Sequence, residues 1–233
     1  MKTTTTTILA SLFLICAALP LYAADINDLT YDASGATVTI TDCDTAASGA
    51  LVIPETIEGK PVTSIGDYAF ASCTSLTSIT IPESVTSIGS GAFYDCSSLA
   101  NITLPNSITS IGSYTFFNCT SLASVIIPGS VTSIGNNAFA SCTRLTSITF
   151  MGNAPTLGTS VFGSVDAAAT VYVVAGATGF PDPFGGLPVI FSPLIYVVNG
   201  DGISVTITDC DTAASGALVI PETIEGKPVT RIG

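Results

Sequence analysis

The chain has 233 residues, of which 47% are hydrophobic and only 9% are charged, so it can bury a core and differs strongly in composition from disordered proteins. Five Lys and Arg stand against 17 Asp and Glu, and no basic cluster is present, so nucleic acid is not expected as a partner. The absence of His removes Ser-His and Cys-His nucleophile pairs and His-containing zinc sites.

Residues 1–24 have the layout of a secretory signal peptide. Lys2 and a run of Thr precede an apolar stretch that extends from Ile8 to Leu21, and Ala23 and Ala24 supply the small residues of a cleavage site. This stretch is shorter than the roughly 20 residues that a membrane-spanning helix needs. We therefore predict cleavage after Ala23 or Ala24, export of the chain, and no transmembrane span.

A period of 23 residues dominates the chain from Val62 to Asn153. Four units follow one another and begin VTSIGDYAF, VTSIGSGAF, ITSIGSYTF and VTSIGNNAF. Such a period is typical of a solenoid, in which each coil buries its apolar face against neighbouring coils. Eight positions stay apolar or small in every unit except for Thr115, and we predict that they form internal ladders; in the first unit they are Val62, Ile65, Ala69, Phe70, Cys73, Leu76, Ile79 and Ile81.

The second half of each unit predicts a parallel β-strand. Residues from Leu76 to Ile81 follow the LxxLxL pattern, and Pro82 ends the pairing because it lacks a backbone donor. Side chains alternate along a strand, so Ser78 and Thr80 are expected to face outward. We predict that this sheet forms the concave face of the solenoid.

The first half of each unit predicts a shorter strand followed by a turn. Residues 62–65 read as extended, and Gly66 is expected to permit a sharp corner after them. The apolar spacing of residues 69–73 favours a single helical turn. Each coil should therefore be mostly β-structure with a short helical turn.

The unit GxxAFxxCxxLxxIxIPxxVxxI resembles the repeats of BspA-like leucine-rich repeat surface proteins, and the units from Val62 to Asn153 match it at nearly every signature position. The resemblance implies a leucine-rich repeat solenoid that is secreted or displayed on a bacterial cell surface. It also implies a role in adhesion to host proteins or other cells. Residues 25–61 look like the β-rich N-terminal cap of such arrays, since they lead into an IPxxIxGxPVTxIG run.

Residues 154–192 predict a degenerate repeat and a C-terminal cap. Leu157, Phe162 and Val165 fall where the regular units have Ile, Phe and Cys, and the segment from Ala169 supplies a final strand. A stretch rich in Pro and Gly at 180–186 then breaks regular structure. We expect the regular array to be closed here.

A second module is predicted to start in residues 193–233. Residues 38–63 recur without change at 205–230. A cap without coils behind it would leave its inner edge unpaired. We therefore expect these residues to be the beginning of a second cap-and-repeat module, and the sequence to be a fragment of a longer protein.

The cysteines allow three interpretations. Four of them recur at the 23-residue spacing, and two others share one position in the two copies of the cap. Disulfides are common in exported proteins. Evenly stacked, parallel side chains favour buried free thiols that act as small apolar fillers, and they disfavour a tetrahedral metal site. The residues concerned are Cys73, Cys96, Cys119, Cys142, Cys43 and Cys210.

Several acidic residues near turns raise the alternative of a calcium site. None of the clusters has the full ligand series of a known calcium loop, so turn capping and solubility explain them better. No metal or cofactor is predicted. The clusters are Asp25, Asp28 and Asp32, then Asp42 with Asp44, and then residues 199–202.

Outward positions vary between coils, which suggests a binding surface for a protein or glycan ligand. Aromatic and Arg side chains are the usual anchors of such surfaces. The candidates are Tyr68, Tyr94, Tyr114, Phe117 and Arg144, together with the concave column Ser78, Asn101, Ser124 and Ser147. We predict a non-catalytic binding module, because no paired carboxylates, phosphate-binding loop or activated nucleophile is evident.

Two other functions are compatible with the sequence. A structural spacer without its own ligand would suit a duplicated module and a nearly uncharged array. Ice binding would use a regular column of Thr, although Thr is also a common strand former on soluble surfaces. That column consists of Thr63, Thr86, Thr109 and Thr132.

Overall fold

The structure is a computed structural model that describes residues 24–191 together with strands in 194–198, 205–210, 223–224 and 227–232. The predicted signal peptide therefore lies outside the described residues, except for Ala24. Among the described residues, no helix is long and apolar enough to cross a membrane. The only helical element assigned within that part of the chain is a 3-10 turn at Ile26–Asp28, which Asp25 caps.

Nineteen strands are assigned in the described residues. Those of the N-terminal region and the first coils are β1 (Leu29–Asp32), β2 (Val38–Cys43), β3 (Ser48–Val52), β4 (Thr56–Ile57), β5 (Lys60–Ile65), β6 (Ser75–Thr80), β7 (Ser87–Ile88), β8 (Asn101–Thr103), β9 (Ser110–Ile111) and β10 (Ser124–Ile127). Those that follow are β11 (Ser133–Ile134), β12 (Ser147–Phe150), β13 (Thr156–Leu157), β14 (Thr170–Val173), β15 (Val189–Phe191), β16 (Leu194–Val198), β17 (Val205–Cys210), β18 (Thr223–Ile224) and β19 (Lys227–Ile232).

The N-terminal cap joins the repeat array through strand β5. Its sheet has the order β1-β2-β5-β4, in which β2 and β5 are parallel and the outer pairs are antiparallel. Strand β5 also pairs with β7 of the next coil in parallel. Because one strand belongs to both sheets, the cap covers the end of the solenoid core.

Two parallel sheets run along the array. The first sheet consists of two sections, the cap sheet that ends at β7 and the strands β9, β11 and β13, which pair in parallel with Ile111, Ile134 and Leu157 in register. The second sheet consists of two sections, β3-β6-β8 and β10-β12-β14-β15. The predicted 23-residue register is confirmed, for example by the pairing of Ser124 with Ser147.

The third side of each coil, which we call the turn side, is held by backbone hydrogen bonds to the next coil. In the first coil the N–H groups of Tyr68, Phe70 and Ser72 donate to carbonyl oxygens of the second coil at 3.0, 2.7 and 2.7 Å. The intervening Ala71 N–H donates within its own turn. The predicted helical turn at 69–73 is therefore a series of hydrogen-bonded turns, since alternate N–H groups point to the neighbouring coil.

The internal ladders are confirmed. Phe70, Phe93, Phe116 and Phe139 are completely buried and stack in one file, with ring centroids 5.1–5.3 Å apart and interplanar angles of 6–16°. Phe162 extends the file. Thr115, the polar exception, is also buried, and its hydroxyl donates to the Gly112 carbonyl at 2.9 Å, so its polar group is satisfied.

The glycine after each short strand is required for a reason other than the one predicted. Gly66 and Gly89 do not adopt a left-handed backbone conformation. A Cβ on Gly89 would lie only 2.5 Å from the backbone nitrogen of Asp67 in the preceding coil. The left-handed conformation occurs two residues later, at Tyr68 with φ of 56°. The glycine therefore permits close approach between coils, whereas the corner is made at the residue two positions on.

The array continues beyond the four regular units into residues 154–191. Leu157 pairs with Ile134, and Val165 packs against the core. Strands β14 and β15 extend the second sheet. Phe184 contacts Phe150 at 5.5 Å, edge to face, and Phe180 contacts both rings, so these aromatic residues cover the end of the core.

The strands near the C-terminus repeat the cap topology. Their order is β16-β17-β19-β18, and Leu194 pairs with Cys210 as Leu29 pairs with Cys43. The assignment of residues 193–233 as the start of a second module remains a prediction.

Candidate functional site

Four of the candidate binding residues form one continuous aromatic patch on the turn side. We call this patch the aromatic platform; it consists of Tyr68, Tyr94, Tyr114 and Phe117. Tyr68 and Tyr114 are 52% and 39% exposed, and the other two rings are half-buried. The platform extends over the first three regular coils.

The rings of the platform support one another across coils. Tyr94 and Phe117 stack with centroids 5.1 Å apart and an interplanar angle of 12°. Tyr68 meets Tyr94 at 6.1 Å, and Tyr114 meets the edge of Phe117 at 5.8 Å. Aromatic pairs in such arrangements stabilise each other by about 0.5–1.5 kcal/mol beyond the burial of area. The rings of the platform therefore pack against one another before any partner binds.

The turn geometry explains why these positions converge. Tyr68 and Tyr114 occupy the left-handed position of their coils, with φ of 56° and 58°. The turn bonds that follow, from Tyr94 N–H to Gly91 and from Phe117 N–H to Tyr114, place the second pair of rings three residues further on. Side chains from both positions thus lie on the same side of the solenoid.

Gly91 makes room for Tyr68. It occupies the left-handed position of the second coil, with φ of 61°, where the first and third coils have tyrosines. A Cβ there would overlap the Tyr68 ring, with Cδ1 only 2.6 Å away. The ring therefore lies directly over the second coil. The 23-residue period does not single out this residue, although Gly91 is the only glycine in its column of the regular units.

Polar groups flank the platform. Within the described part of the chain, the hydroxyl groups of Tyr68, Tyr94 and Tyr114 make no hydrogen bond. Asp67 is exposed beside Tyr68, and its carboxylate accepts the Ser90 N–H at 2.7 Å. Asp95 follows Tyr94, and its carboxylate accepts from the Asn118 side chain at 2.5 Å. The surface thus combines aromatic carbon, phenol hydroxyls and two carboxylates.

The remaining candidates lie elsewhere. Ser78 pairs with Asn101, and Ser124 pairs with Ser147, on the outer face of the second sheet. Arg144 is exposed two residues after Cys142 and belongs to neither group. The nine candidates therefore occupy at least two separate surfaces.

A groove of about 280 Å³ lies on the second sheet where its two sections meet. Ile102 is only partly buried there, whereas Ile79 in the preceding coil is fully buried. Its lining combines hydroxyl, amide and aliphatic groups from Asn101, Ile102, Thr103, Ser124, Val125, Ile126, Ser147 and Thr149. Thr103 and Thr149 were missed because their outward columns are chemically plain.

The acidic residues of the cap bind backbone N–H groups. Asp25 caps the 3-10 turn, and Asp28 accepts the Asp25 N–H at 2.8 Å. Asp32, Asp42 and Asp44 each accept an N–H one or two residues further on, at 2.8–2.9 Å. Each carboxylate therefore has a structural partner. Among the described residues, no group of acidic, Cys or His side chains could hold a metal ion; residues 199–202 lie outside them.

The cysteine column is buried, and none of the five described cysteines is bridged in this structure. Cys96, Cys119 and Cys142 donate to the carbonyl of the phenylalanine in the preceding coil, at 3.0–3.2 Å. Burial raises the pKa of Cys96 and Cys142 to about 12 and that of Cys119 well above its ordinary value. These three residues thus act as apolar fillers with a satisfied S–H group.

The threonine column considered for ice binding takes part in contacts between coils. The hydroxyls of two members of the column, Thr86 and Thr132, donate to the backbone carbonyl of a threonine in the preceding coil at 3.3 and 3.2 Å, and Thr156 of the following coil donates likewise at 3.1 Å. Three hydroxyl hydrogens are therefore committed within the protein. The column has a structural role that is independent of any ligand.

Comparison with known structures supports the solenoid fold. A leucine rich repeat protein of T. pallidum is 25% identical, with a TM-score of 0.58 over 91% of this chain and 82% of that one. A leucine rich cell surface protein of Faecalibacterium prausnitzii is 31% identical, with a TM-score of 0.58 over 65% of this chain. This chain covers 39% of the F. prausnitzii protein. The pneumococcal vaccine antigen PcpA is 19% identical with a TM-score of 0.50, which supports the fold alone.

Family comparison identifies the repeats. No curated protein sequence matches this chain. The family model for the BspA type leucine rich repeat region matches residues 52–174 and finds six copies of the repeat there. These copies include the last strand of the second sheet before the Pro- and Gly-rich stretch. The chain therefore belongs to the BspA type leucine rich repeat family.

Proposed function

We propose that this protein is a non-catalytic binding module that acts outside the cytoplasm and holds a protein partner on its aromatic platform. The observation that carries the proposal is the convergence of Tyr68, Tyr94, Tyr114 and Phe117 into one exposed, preformed surface. Tyrosines that are rigid before binding lose little entropy on contact with a partner. Such residues are frequent among those that dominate binding energy.

The chemistry of the platform favours a protein surface with basic and apolar side chains. Aromatic faces attract Lys and Arg through cation–π contacts. Asp67 directly precedes Tyr68 in the sequence and Asp95 directly follows Tyr94, so both add negative charge to the same turns. The formal net charge of −12 would also steer a basic partner towards the chain. A glycan that stacks on the same rings is the alternative ligand.

The proposed location is supported by the signal-like N-terminus and by the similarity to a bacterial cell surface protein. The proposed lack of catalysis is supported by the absence of His from the chain and by its membership of a repeat family. A spacer without a ligand is the competing function, because only four charged residues occur between positions 62 and 153.

A random peptide library selected on the immobilised full chain would test the proposal, with a neutral glycan array probed in parallel. We expect enrichment of peptides that combine Lys or Arg with apolar residues. The double variant Tyr68→Ala/Tyr114→Ala should bind these peptides at least about tenfold more weakly, because two anchors are removed.

The matched control is Tyr172→Ala. Tyr172 lies on β14 in the second sheet and is 37% exposed, close to the 39% of Tyr114. Binding should be unchanged in this variant. Equal binding by all three proteins would remove the platform as the site, and binding of glycans alone would overturn the choice of a protein partner. No selection of either ligand class would favour the spacer.

A further inference from the structure

At the cap end of the core, the backbone carbonyl of Cys43 lies where the regular coils have a phenylalanine carbonyl. In the coils, each cysteine donates its S–H to the carbonyl of the phenylalanine in the preceding coil, as Cys96 does to Phe70 at 3.0 Å. Cys73 has the same position in the first coil, but the corresponding carbonyl belongs to Cys43, at 3.9 Å from the Cys73 sulfur. The Cys43 carbonyl thus has the role that a phenylalanine carbonyl has in the regular coils.

The thiols of Cys43 and Cys73 lie close together at this point. The sulfur atoms of Cys43 and Cys73 lie 3.7 and 3.9 Å from one shared acceptor, the carbonyl oxygen of Asp44. The backbone carbonyl of Cys43 is a further acceptor for the Cys73 sulfur, at 3.9 Å. Both residues are buried, at 3% and 0% exposure. In the following coils, the sulfur atoms of Cys96, Cys119 and Cys142 donate instead to the carbonyl oxygen of a phenylalanine.

We propose that Cys43 and Cys73 form a disulfide that fastens the N-terminal cap to the first coil, whereas Cys96, Cys119 and Cys142 remain thiols. The pair is separated by 30 residues that include strands β3, β4 and β5. A cross-link there restrains the end of the solenoid, where a repeat array has a neighbour on one side only. The sequence period places Cys73 in the column but gives no hint that Cys43 faces it.

The chemistry of the pair requires one thiolate. Disulfide exchange begins when a thiolate attacks a disulfide sulfur, and either cysteine of the pair supplies it before both are buried.

The oxidant is a disulfide, either of an extracytoplasmic thiol oxidoreductase or of a small molecule such as oxidised glutathione. During folding, before the pair is buried, the thiolate of one cysteine attacks one sulfur of that disulfide, which forms a mixed disulfide and releases one thiolate. The other cysteine then loses its proton to solvent and attacks the sulfur of the first, which releases the second thiolate. The protein pair loses two electrons and two protons, and the oxidant becomes two thiols after the released thiolates are protonated.

Refolding in a glutathione redox buffer, followed by alkylation of free thiols and peptide mapping without reduction, tests the proposal. We expect one peptide pair linked through Cys43 and Cys73, while Cys96, Cys119 and Cys142 are fully alkylated. In the oxidised protein, addition of reductant should lower the melting temperature. Because mapping uses the unmodified sequence, its result does not depend on whether a variant folds.

Two variants serve as matched tests. Cys43→Ala should abolish the cross-link and make the melting temperature insensitive to reductant. Cys96→Ala removes another buried column cysteine and should leave both the cross-link and the reductant-dependent shift in place. Full alkylation of Cys43 and Cys73 in the refolded wild-type protein would overturn the proposal, as would a pairing of either residue with a different cysteine.

Discussion

The turn side and the first sheet are built from the same 23-residue units but differ in how they use their outward side chains. On the first sheet the outward column is Thr in all four regular units, and two of these threonines donate a hydroxyl hydrogen to the preceding coil. On the turn side the left-handed position holds Tyr68, Gly91, Tyr114 and Asn137 in succession.

The difference follows from which atoms connect the coils. At the left-handed position of the turn side the connection is made by the backbone N–H group, such as that of Tyr68 or Gly91, which donates whatever side chain the residue carries. On the first sheet some connections come from the side chains themselves. Side chains that hold the stack together are constrained, whereas those beside a complete set of backbone bonds can change. A variable binding surface is therefore compatible with the turn side.

The largest effect that would test this comparison is expected for Gly91→Ala. The substitution forces a side chain into a left-handed conformation and into the Tyr68 ring. Strain of about 1–2 kcal/mol and displacement of the ring at about 1–3 kcal/mol should both lower the free energy of unfolding. Urea denaturation monitored by tyrosine fluorescence measures the sum.

Gly59→Ala is the control for backbone strain. Gly59 has φ of 74°, but a Cβ there would have nothing within 4 Å. The difference between the two variants isolates the cost of moving the ring. Equal destabilisation by both substitutions would contradict the close packing of Tyr68 on the second coil.

The sequence predicted the interior of the array far better than its surfaces. The ladders follow directly from the period, because a residue that recurs every 23 positions must have the same neighbours in each coil. The stacking of Phe70, Phe93, Phe116 and Phe139 was therefore predictable. The period even located Phe162 and Val165 in the degenerate coil, since their spacing from the preceding Phe and Cys is preserved.

The surfaces could not be predicted because the period does not specify the path of the chain within one coil. Tyr68 and Tyr94 are not equivalent positions, and only the left-handed turn brings their rings together. The groove between β8 and β10 could not be predicted from the period either. The units on both sides of the groove fit the repeat pattern, so no residue marks the interruption of the second sheet.

The free energy of unfolding is expected to depend on pH above 9, because the buried thiols of the coils hold their protons. Burial raises the pKa of Cys96 to about 12 from an ordinary value of 9.0. The folded state therefore holds this proton more tightly than the unfolded state does. Its stabilising contribution is fully present below pH 9 and is lost as the pH rises towards about 12, at about 1.4 kcal/mol per pH unit.

Urea unfolding in the presence of reductant, at several pH values above 9, measures this slope. The variant Cys96→Ala should lose the contribution of one proton, so its stability should fall less steeply than that of the wild type. Groups other than Cys96 are the same in both proteins, so their contributions cancel in the comparison. Identical slopes would show that Cys96 is not protected in the folded state.

The smallest effect is expected on the first sheet. Thr132→Val keeps the β-branched shape but removes a hydroxyl that donates to the Thr109 carbonyl at 3.2 Å. The Thr132 N–H donates to the same carbonyl at 2.8 Å, so the acceptor keeps a partner. The loss should be about 0.5–1 kcal/mol by urea denaturation. Thr109→Val is the control because the Thr109 hydroxyl makes no hydrogen bond within the described part of the chain, and it should cost less. A larger loss for Thr109→Val would mean that strand shape or hydration, rather than the hydroxyl bonds between coils, keeps this column constant.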